Sequence, residues 1–430
     1  MIKKTSYKIY SALFVFLFTT VFSIHSNTML IDNDYGVPKM QKNALKNLDV
    51  KVLKIPNSSE SSEKFCKDNA VHLKKRMMLT YTANGLEFVV NPYLRQINKI
   101  CKNKLIFRNR IKDLYPDFFY KAVKYENLKK IDYKSFSYPI IIKPIRGYSS
   151  IGVYKVENED QWLAVCKKLE KDNEIGKSVV SHFVFDSSFY LIEEALEGEE
   201  VAVDGYYSDT GKPVILDIMK RMFVNTADTS DRIYYTSTSI INETLDETTE
   251  LAKKLGKTLD IKLFPFHLEA RRNKSGELIP IEINPMRFAG VGVSDLSFYA
   301  FGINNLEYYF SQKEPNWEKI IERSDDSIYG FYCAEFSKKI DYDDIAYVKE
   351  AELKSKFKNV IEYRNTLTRK SGIFFALIFY KASDIKENVK LLQLNLDDFI
   401  VLKSQNKYDW LTSFKDFFKR LNPLGTVYVN

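Results

Sequence analysis

The stretch PIIIKPIRGYSSIGVYKV, residues 139–156, constrains the fold more than any other. Ile140, Ile141 and Ile142 read as a buried strand that delivers Lys143 to its end. A lysine there needs a negative partner or costs several kcal/mol. The loop RGYSSIG follows. Gly147 and Gly152 permit a tight course with Ser149 and Ser150 between them, so successive backbone N–H groups can wrap an anion. A second apolar run completes a strand–loop–strand unit. Lysine plus a nest of amides holds phosphate by the physics of a P-loop, although GxxxxGK[ST] is absent. The same residues also suit a surface hairpin with a stray lysine.

FHLEARRNKSGELIPIEINPMR, residues 266–287, carries the sharpest chemistry. It reads as two strands joined by the turn KSGE, so Glu269 and Glu282 can sit side by side. Asn284 shares a face with Glu282 because strand side chains alternate. Two acids and an amide facing one point suit Mg²⁺, with Mn²⁺ as the alternative ion, where phosphates complete the shell. His267 is the single nearby imidazole, which argues against zinc; it reads equally as a packed strand residue. Arg271 and Arg287 flank the acids and can neutralise a transferring phosphoryl group. Upstream, YLIEEALEGEEVAVDGYY concentrates carboxylates at Glu193, Glu194, Glu197, Glu199 and Glu200, a run that needs solvent, cations or ligand hydroxyls to meet it.

The rest of the chain frames these stretches. An apolar segment at 28–40, a short strand at 49–56 and a following helix suggest a small α/β N-terminal domain over 27–90. A helical pattern begins at Asn91, and successive strands occupy SSFYLIEEAL, EVAVDGYYS and PVILDIMKRM. A helix over TLDETTELAKKLGKTL is expected to open at Thr244 and close at Gly256. The polar stretch 220–239 is the right length for a loop over the site, with Arg221 and Arg232 as candidates for gripping a substrate carboxylate; a plain surface loop is the alternative. The aromatics of MRFAGVGVSDLSFYAFGIN read as core. Residues 321–430 form a mixed C-terminal α/β region without a chemical motif.

Charge is uneven. Residues 1–130 hold 24 Lys and Arg against 10 Asp and Glu, and the remainder is acidic. No nucleic-acid motif accompanies the basic half, so a solvated face is the expectation and nucleic acid is not. Four separated cysteines suggest neither disulfides nor zinc. Residues 1–26 place lysines before an apolar run, which fits a signal, an inward-facing anchor contacting membrane through residues 10–24, or a buried element.

IIIKPIRGYSSIGV, IEEALEGEEVAVDGYY and HLEAR with IEINPMRFAG occur in the order that resembles the ATP-grasp superfamily of carboxylate–amine ligases, over about 91–310. The resemblance implies an α/β (α+β) ATP-grasp fold in which two α+β subdomains over 91–320 clasp ATP, between the 27–90 domain and the 321–430 domain. It implies that Lys104 and Lys143 hold the ATP phosphates, with Arg108 as a rival for the first. The hinge matches Glu193, Glu194, Ala195 and Leu196, which would meet adenine, and Glu200 stands where a ribose-binding acid belongs. Glu269, Glu282 and Asn284 align with magnesium ligands, and Arg287 with an arginine that steadies the phosphoryl group or substrate carboxylate. The first domain lacks an evident glycine-rich opening strand, which is a departure from the family pattern.

The implied reaction phosphorylates a carboxylate with ATP and lets an amine displace phosphate from the acyl phosphate. No side-chain nucleophile is needed, in keeping with the absence of a Ser–His–Asp or Cys–His set. The expected partners are a small-molecule carboxylate and amine, in the cytoplasm, with homo-oligomerisation compatible. The competing reading is a nucleotide-binding protein without turnover, tethered to a membrane or exported.

Overall fold

The computed structural model describes residues 27–32, 38–56, 59–147, 150–179, 185–224, 230–337, 339–368 and 373–403. The expectations for residues 1–26 and for Ser149 lie outside these. The chain divides into two compact units, residues 1–218 with 242–322 and residues 219–241 with 323–430. Among the described residues no helix is long and apolar enough to cross a membrane.

The first unit opens with β1 (Asn27–Ile31), β2 (Val50–Lys54) and β3 (Met78–Thr80), a parallel sheet in the order β2-β1-β3. Residues 27–90 therefore belong to the same compact unit as the strands that follow. β4 (Tyr120–Lys124), β5 (Ile140–Arg146), β6 (Tyr154–Val156) and β7 (Asp186–Glu194) form an antiparallel sheet ordered β4-β7-β5-β6. Its apolar face packs Ile140, Ile142, Tyr190 and Ile192 against Trp162, Val165 and Leu169 of the helix Trp162–Val179. β8 (Glu200–Tyr207), β9 (Pro213–Met222), β11 (Phe264–Arg272) and β12 (Leu278–Pro285) lie in the order β12-β11-β8-β9, with β10 (Ile233–Thr236) assigned to the second unit. Tyr206, Val214 and Leu216 of this sheet share a core with Met29, Leu79, Phe288 and Tyr309, which ties the parallel sheet to it.

The second unit takes the end of β9 beside β10, and continues through β13 (Ile328–Glu335), β14 (Ile345–Val348), β15 (Val360–Asn365) and β16 (Phe374–Ala382). Here the structure corrects the expectation of a covering loop at 220–239. Met222, Ile233 and Tyr235 pack into this unit's core with Tyr332 and Ile378, so the stretch begins in β9, includes β10 and ends in a helix, with residues 225–229 outside the described ones.

The helix expected at 244–256 runs Thr238–Leu259. Gly256 does not stop it. A Cβ at Gly256 would meet the buried Tyr207 ring, so this glycine admits an aromatic rather than a turn. The helix ends at Asp260, whose φ of 51° is left-handed, and Ile261 N–H returns to the Gly256 carbonyl at 2.9 Å.

Candidate active site

The site is built on the β11–β12 register, which pairs Glu269 with Glu282 and His267 with Asn284. Asn284 Nδ2 donates to Glu282 Oε1 at 2.9 Å and to Glu269 Oε1 at 3.2 Å, gathering the acids. Glu282 Oε2 lies 2.5 Å from Lys104 Nζ. Burial opposes the Glu282 charge, but Lys104 and then Lys102 outweigh it and hold the carboxyl well below its usual range. Lys104 opens the helix Lys104–Ile111, capped by Asn103, whose side chain accepts from Leu105 N at 3.1 Å and Ile106 N at 3.0 Å. A cation at a helix N-terminus opposes the dipole, and the geometry makes sense with an anion in front of it.

Lys143 stands on β5 with its Nζ 2.5 Å from Glu193 Oε2, while Arg108 Nε reaches Glu193 Oε1 at 2.5 Å. All three are buried. Burial favours the neutral acid, yet Arg108 and Lys143 hold Glu193 at about 2. Burial pulls Lys143 below the lysine range against the attraction of Glu193, with Arg108 and Lys104 adding to the fall. Lys143 also acts electrostatically on Glu282, so the β5 lysine and the β12 acid share one locality.

Below this lies the hinge between β7 and β8. Glu194 Oε1 accepts from Phe119 N at 2.9 Å, and Ala195 N donates to Pro139 O at 3.1 Å. Glu200 is buried and pairs with Arg271 at 2.8 Å, and Arg271 Nη1 donates to Leu196 O at 3.1 Å. Arg271 is thus committed to the hinge side of the site, which corrects its expected place beside the phosphoryl group. It meets Glu200 across the β11–β8 pair.

The loop after β5 makes its turn with Ser150 at φ 55° and Gly152 at φ 74°. Gly147 O accepts from Lys102 Nζ at 3.0 Å. Lys102 is pushed down to about 7, by burial first and then by Lys104 and Arg287, against the pull of Glu282 and Glu269. Arg287 Nη1 donates to Phe288 O at 2.9 Å. Arg221 and Arg232 lie in the second unit and are engaged there. Arg221 pairs with Asp231 at 3.1 Å and donates to Ser230 O, and Arg232 donates to Leu392 O at 3.0 Å. Both serve that unit's packing rather than standing free for a carboxylate.

Two residues escape the sequence reading. Lys102 is hidden in the basic run CKNK, where nothing separates it from Lys104. Asp204, fully buried on β8, accepts from His267 Nδ1 at 2.8 Å and Ala289 N at 2.8 Å. His267 Nε2 lies 3.5 Å from Glu269 Oε1. Burial disfavours the imidazolium, but the two carboxylates raise His267 to about 9.

Lys104, Lys143 and Arg108 act on Glu193 and Glu282, and Lys102, half charged near neutral pH, and Arg287 stand beside them, so cations outnumber the carboxylates Glu193, Glu269 and Glu282. Among the described residues no three His, Cys, Asp or Glu side chains form a metal site on their own. Two carboxylates and an amide fit Mg²⁺ only with oxygens from a polyphosphate, which the cation surplus also favours.

A sequence family described as the ATP-grasp domain matches residues 136–295, which contain Lys143, Glu193, Glu200, Glu269, Glu282 and Asn284. No curated protein matches the chain in sequence. Among solved structures, the L-amino acid ligase of Bacillus licheniformis superposes with a TM-score of 0.65 at 16% identity, covering 88% of this chain and 99% of that one. The N5-carboxyaminoimidazole synthetase of Staphylococcus aureus, complexed with ADP, gives 0.59 at 14% identity over 86% and 97%. The biotin carboxylase domain of the Hydrogenobacter thermophilus 2-oxoglutarate carboxylase, in complex with MgADP and bicarbonate, gives 0.58 at 13% identity over 88% and 90%.

Proposed function

With an ATP-grasp domain over residues 136–295, the chain belongs to the ATP-grasp superfamily, and we propose that it is an ATP-dependent ligase joining a carboxylate to an amine. The observation that carries this reading is the surplus of cations gathered around Glu269, Glu282 and Asn284, an arrangement suited to a triphosphate and a divalent ion. Lys104 and Lys143 hold the phosphates, assisted by amides of the loop from Gly147 to Gly152. Glu193, Glu194, Ala195 and Leu196 border adenine, and Glu200 takes the ribose hydroxyls. Glu269, Glu282 and Asn284 would hold Mg²⁺ with the phosphates, and the ion supplies charge neutralisation there.

In the first step a substrate carboxylate oxygen attacks the γ-phosphorus, and the bond to the ADP oxygen breaks. In the second a neutral amine attacks the acyl carbon of the acyl phosphate, phosphate leaves, and the amine loses its proton. Arg287 and the lysines stabilise negative charge on the phosphoryl oxygens, and positioning does the rest. The names of the structural neighbours, one of them an L-amino acid ligase, make amino acids the first substrates to try. A reaction that consumes ATP is at home where ATP is made, so the cytoplasm is the compartment we propose.

The test is ADP release from ATP and Mg²⁺ with a panel of amino acids and dipeptides. Wild type should release ADP only with an acceptable pair, and Glu282→Ala should release none. Equal release by both proteins across the panel would overturn the proposal.

A further inference from the structure

The parallel sheet of the first unit has the order β2-β1-β3, so the chain leaves β1 to one side for β2 and crosses to the other side for β3. Ligands of open α/β sheets lie outside the carboxyl ends of the strands at such a reversal. The residue immediately after β1 is Asp32, and the residues just beyond β3 include Thr82 and Asn84. These three meet. Thr82 Oγ1 donates to Asp32 Oδ2 at 2.6 Å and Asn84 Nδ2 donates to the same oxygen at 3.2 Å. Asp32 is 5% exposed, and its other oxygen, Oδ1, is buried without a hydrogen-bond partner among the described residues. Asn84 is exposed, so the cluster runs from a buried acid to the surface.

This end of the sheet is tied to the active-site strand. Thr80, two residues before Thr82, donates through its N–H to Met286 O at 2.7 Å, and Arg287 follows Met286. The orphan on Asp32 also has company. Asn98 Nδ2 contacts Met286 Sδ at 3.1 Å and Gln41 Nε2 donates to Asp295 Oδ1 at 2.7 Å, while Asn98 Oδ1 and Gln41 Oε1 are buried without a donor. Two further side chains with an acceptor lacking a donor, Asn98 and Gln41, therefore touch the segment 286–295. Each costs desolvation energy until a donor arrives, and the carboxylate calls for a charged one.

We propose that Asp32, with Thr82 and Asn84 fixing its carboxylate, is the recognition site for a primary ammonium group of the carboxylate substrate, so that this substrate is an amino acid with a free amine. An ammonium held by a carboxylate keeps its proton and cannot attack an acyl carbon. It therefore belongs to the acid being activated and not to the attacking amine. This assignment of the substrate rests on the ligase reading; the binding of an ammonium at Asp32 does not.

The experiment is calorimetric titration of the whole chain, without nucleotide, with L-alanine, L-leucine and L-glutamate and with the N-acetyl form of each. Wild type binds at least one amino acid and none of the N-acetyl forms. Asp32→Asn weakens that binding about 10-fold or more, the loss expected for one charge-assisted contact. Thr82→Val, which removes one donor from Oδ2, weakens it less and decides the matter if the first variant fails to fold. Equal affinity in wild type and variants, equal binding of N-acetyl forms, or no binding of any amino acid to wild type overturns the proposal. Amino-acid binding that depends on Asp32 but never supports ADP release would sink the ligase reading and leave this site standing.

Discussion

Lys104 Nζ sits 2.5 Å from Glu282 Oε2, a cation at a helix N-terminus paired with an acid on a strand. Neither partner is at its best in that pair. The lysine opposes the helix dipole, and the acid is one of the two carboxylates that the β11–β12 register sets side by side. A polyphosphate with its ion would satisfy both, giving the lysine an anion and the acid a divalent cation.

Lys104→Met is accordingly expected to raise the KM for ATP about 10- to 100-fold, the range for one lost charge-assisted contact. It should also destabilise the nucleotide-free protein, because Glu282 keeps its charge and loses its nearest cation. Urea unfolding checks this. The double variant Lys104→Met with Glu282→Gln should recover part of the loss, and full additivity of the two changes would refute the pairing.

Glu193 gives a pH dependence with a defined sign. Its folded value of about 2 lies below the ordinary 4.5, so its contribution to stability is present above pH 4.5 and is lost as pH falls through 2. The pair with Arg108 and Lys143 is buried, and the shift corresponds to roughly 3 kcal/mol. Glu193→Gln should therefore be less stable than wild type by about that amount at pH 6. The gap should narrow steadily below pH 4.5, since a protonated glutamate and a glutamine leave the same cations unpaired. Denaturant unfolding at pH 6, 4 and 3 measures it, and a gap independent of pH would contradict the account.

On the proposed assignment of Glu200 to the ribose, Arg271 acts on the nucleotide through that acid. The arginine joins Glu200 to the Leu196 carbonyl, so it holds the acid in place rather than touching phosphate. Glu200→Gln should erase the preference for ATP over 2′,3′-dideoxy-ATP, and Arg271→Met should reduce it while leaving kcat with saturating ATP little changed. A variant at Arg271 that lowers kcat and keeps the ribose preference would return this residue to the phosphoryl group.

How much of this can be read in the chain depends on the range of each contact. Glu269 beside Glu282 is legible because a short turn and the two-residue period of strands set the register locally. The charged end of the IIIK strand is legible for the same reason, and the partner Glu193 is near in space because β5 and β7 are adjacent. Asp204 is not legible. It meets His267 only because β11 pairs with β8, a neighbour separated by β9, β10 and a long helix in sequence. Arg221 and Arg232 mislead because polar residues in or just before a strand look like a loop until the apolar partners Ile233, Tyr235 and Met222 find their core. Asp32 carries no local signal at all, since its meaning comes from the strand order 2-1-3.

Gly256 shows how composition rules fail when packing decides. In the middle of a helix glycine is worse than alanine by about 1 kcal/mol, so Gly256→Ala would ordinarily stabilise. Here the added methyl would lie 3.0 Å from Tyr207 Cδ1 and 3.1 Å from its Cζ, with Cε1 closer still. The ring cannot swing aside, because it is fully buried and its hydroxyl donates to Ala252 O at 2.7 Å. Overpacking of this kind costs about 1–3 kcal/mol, which offsets or exceeds the gain in helix propensity. Gly256→Ala should therefore lower the Tm, and Tyr207→Leu should lower it as well by removing buried surface. In the double variant the alanine gains the space the ring vacates, so the two losses should not add. A rise in Tm for Gly256→Ala alone would show that the helix can shift away from Tyr207, and that the glycine is there for some reason other than the ring.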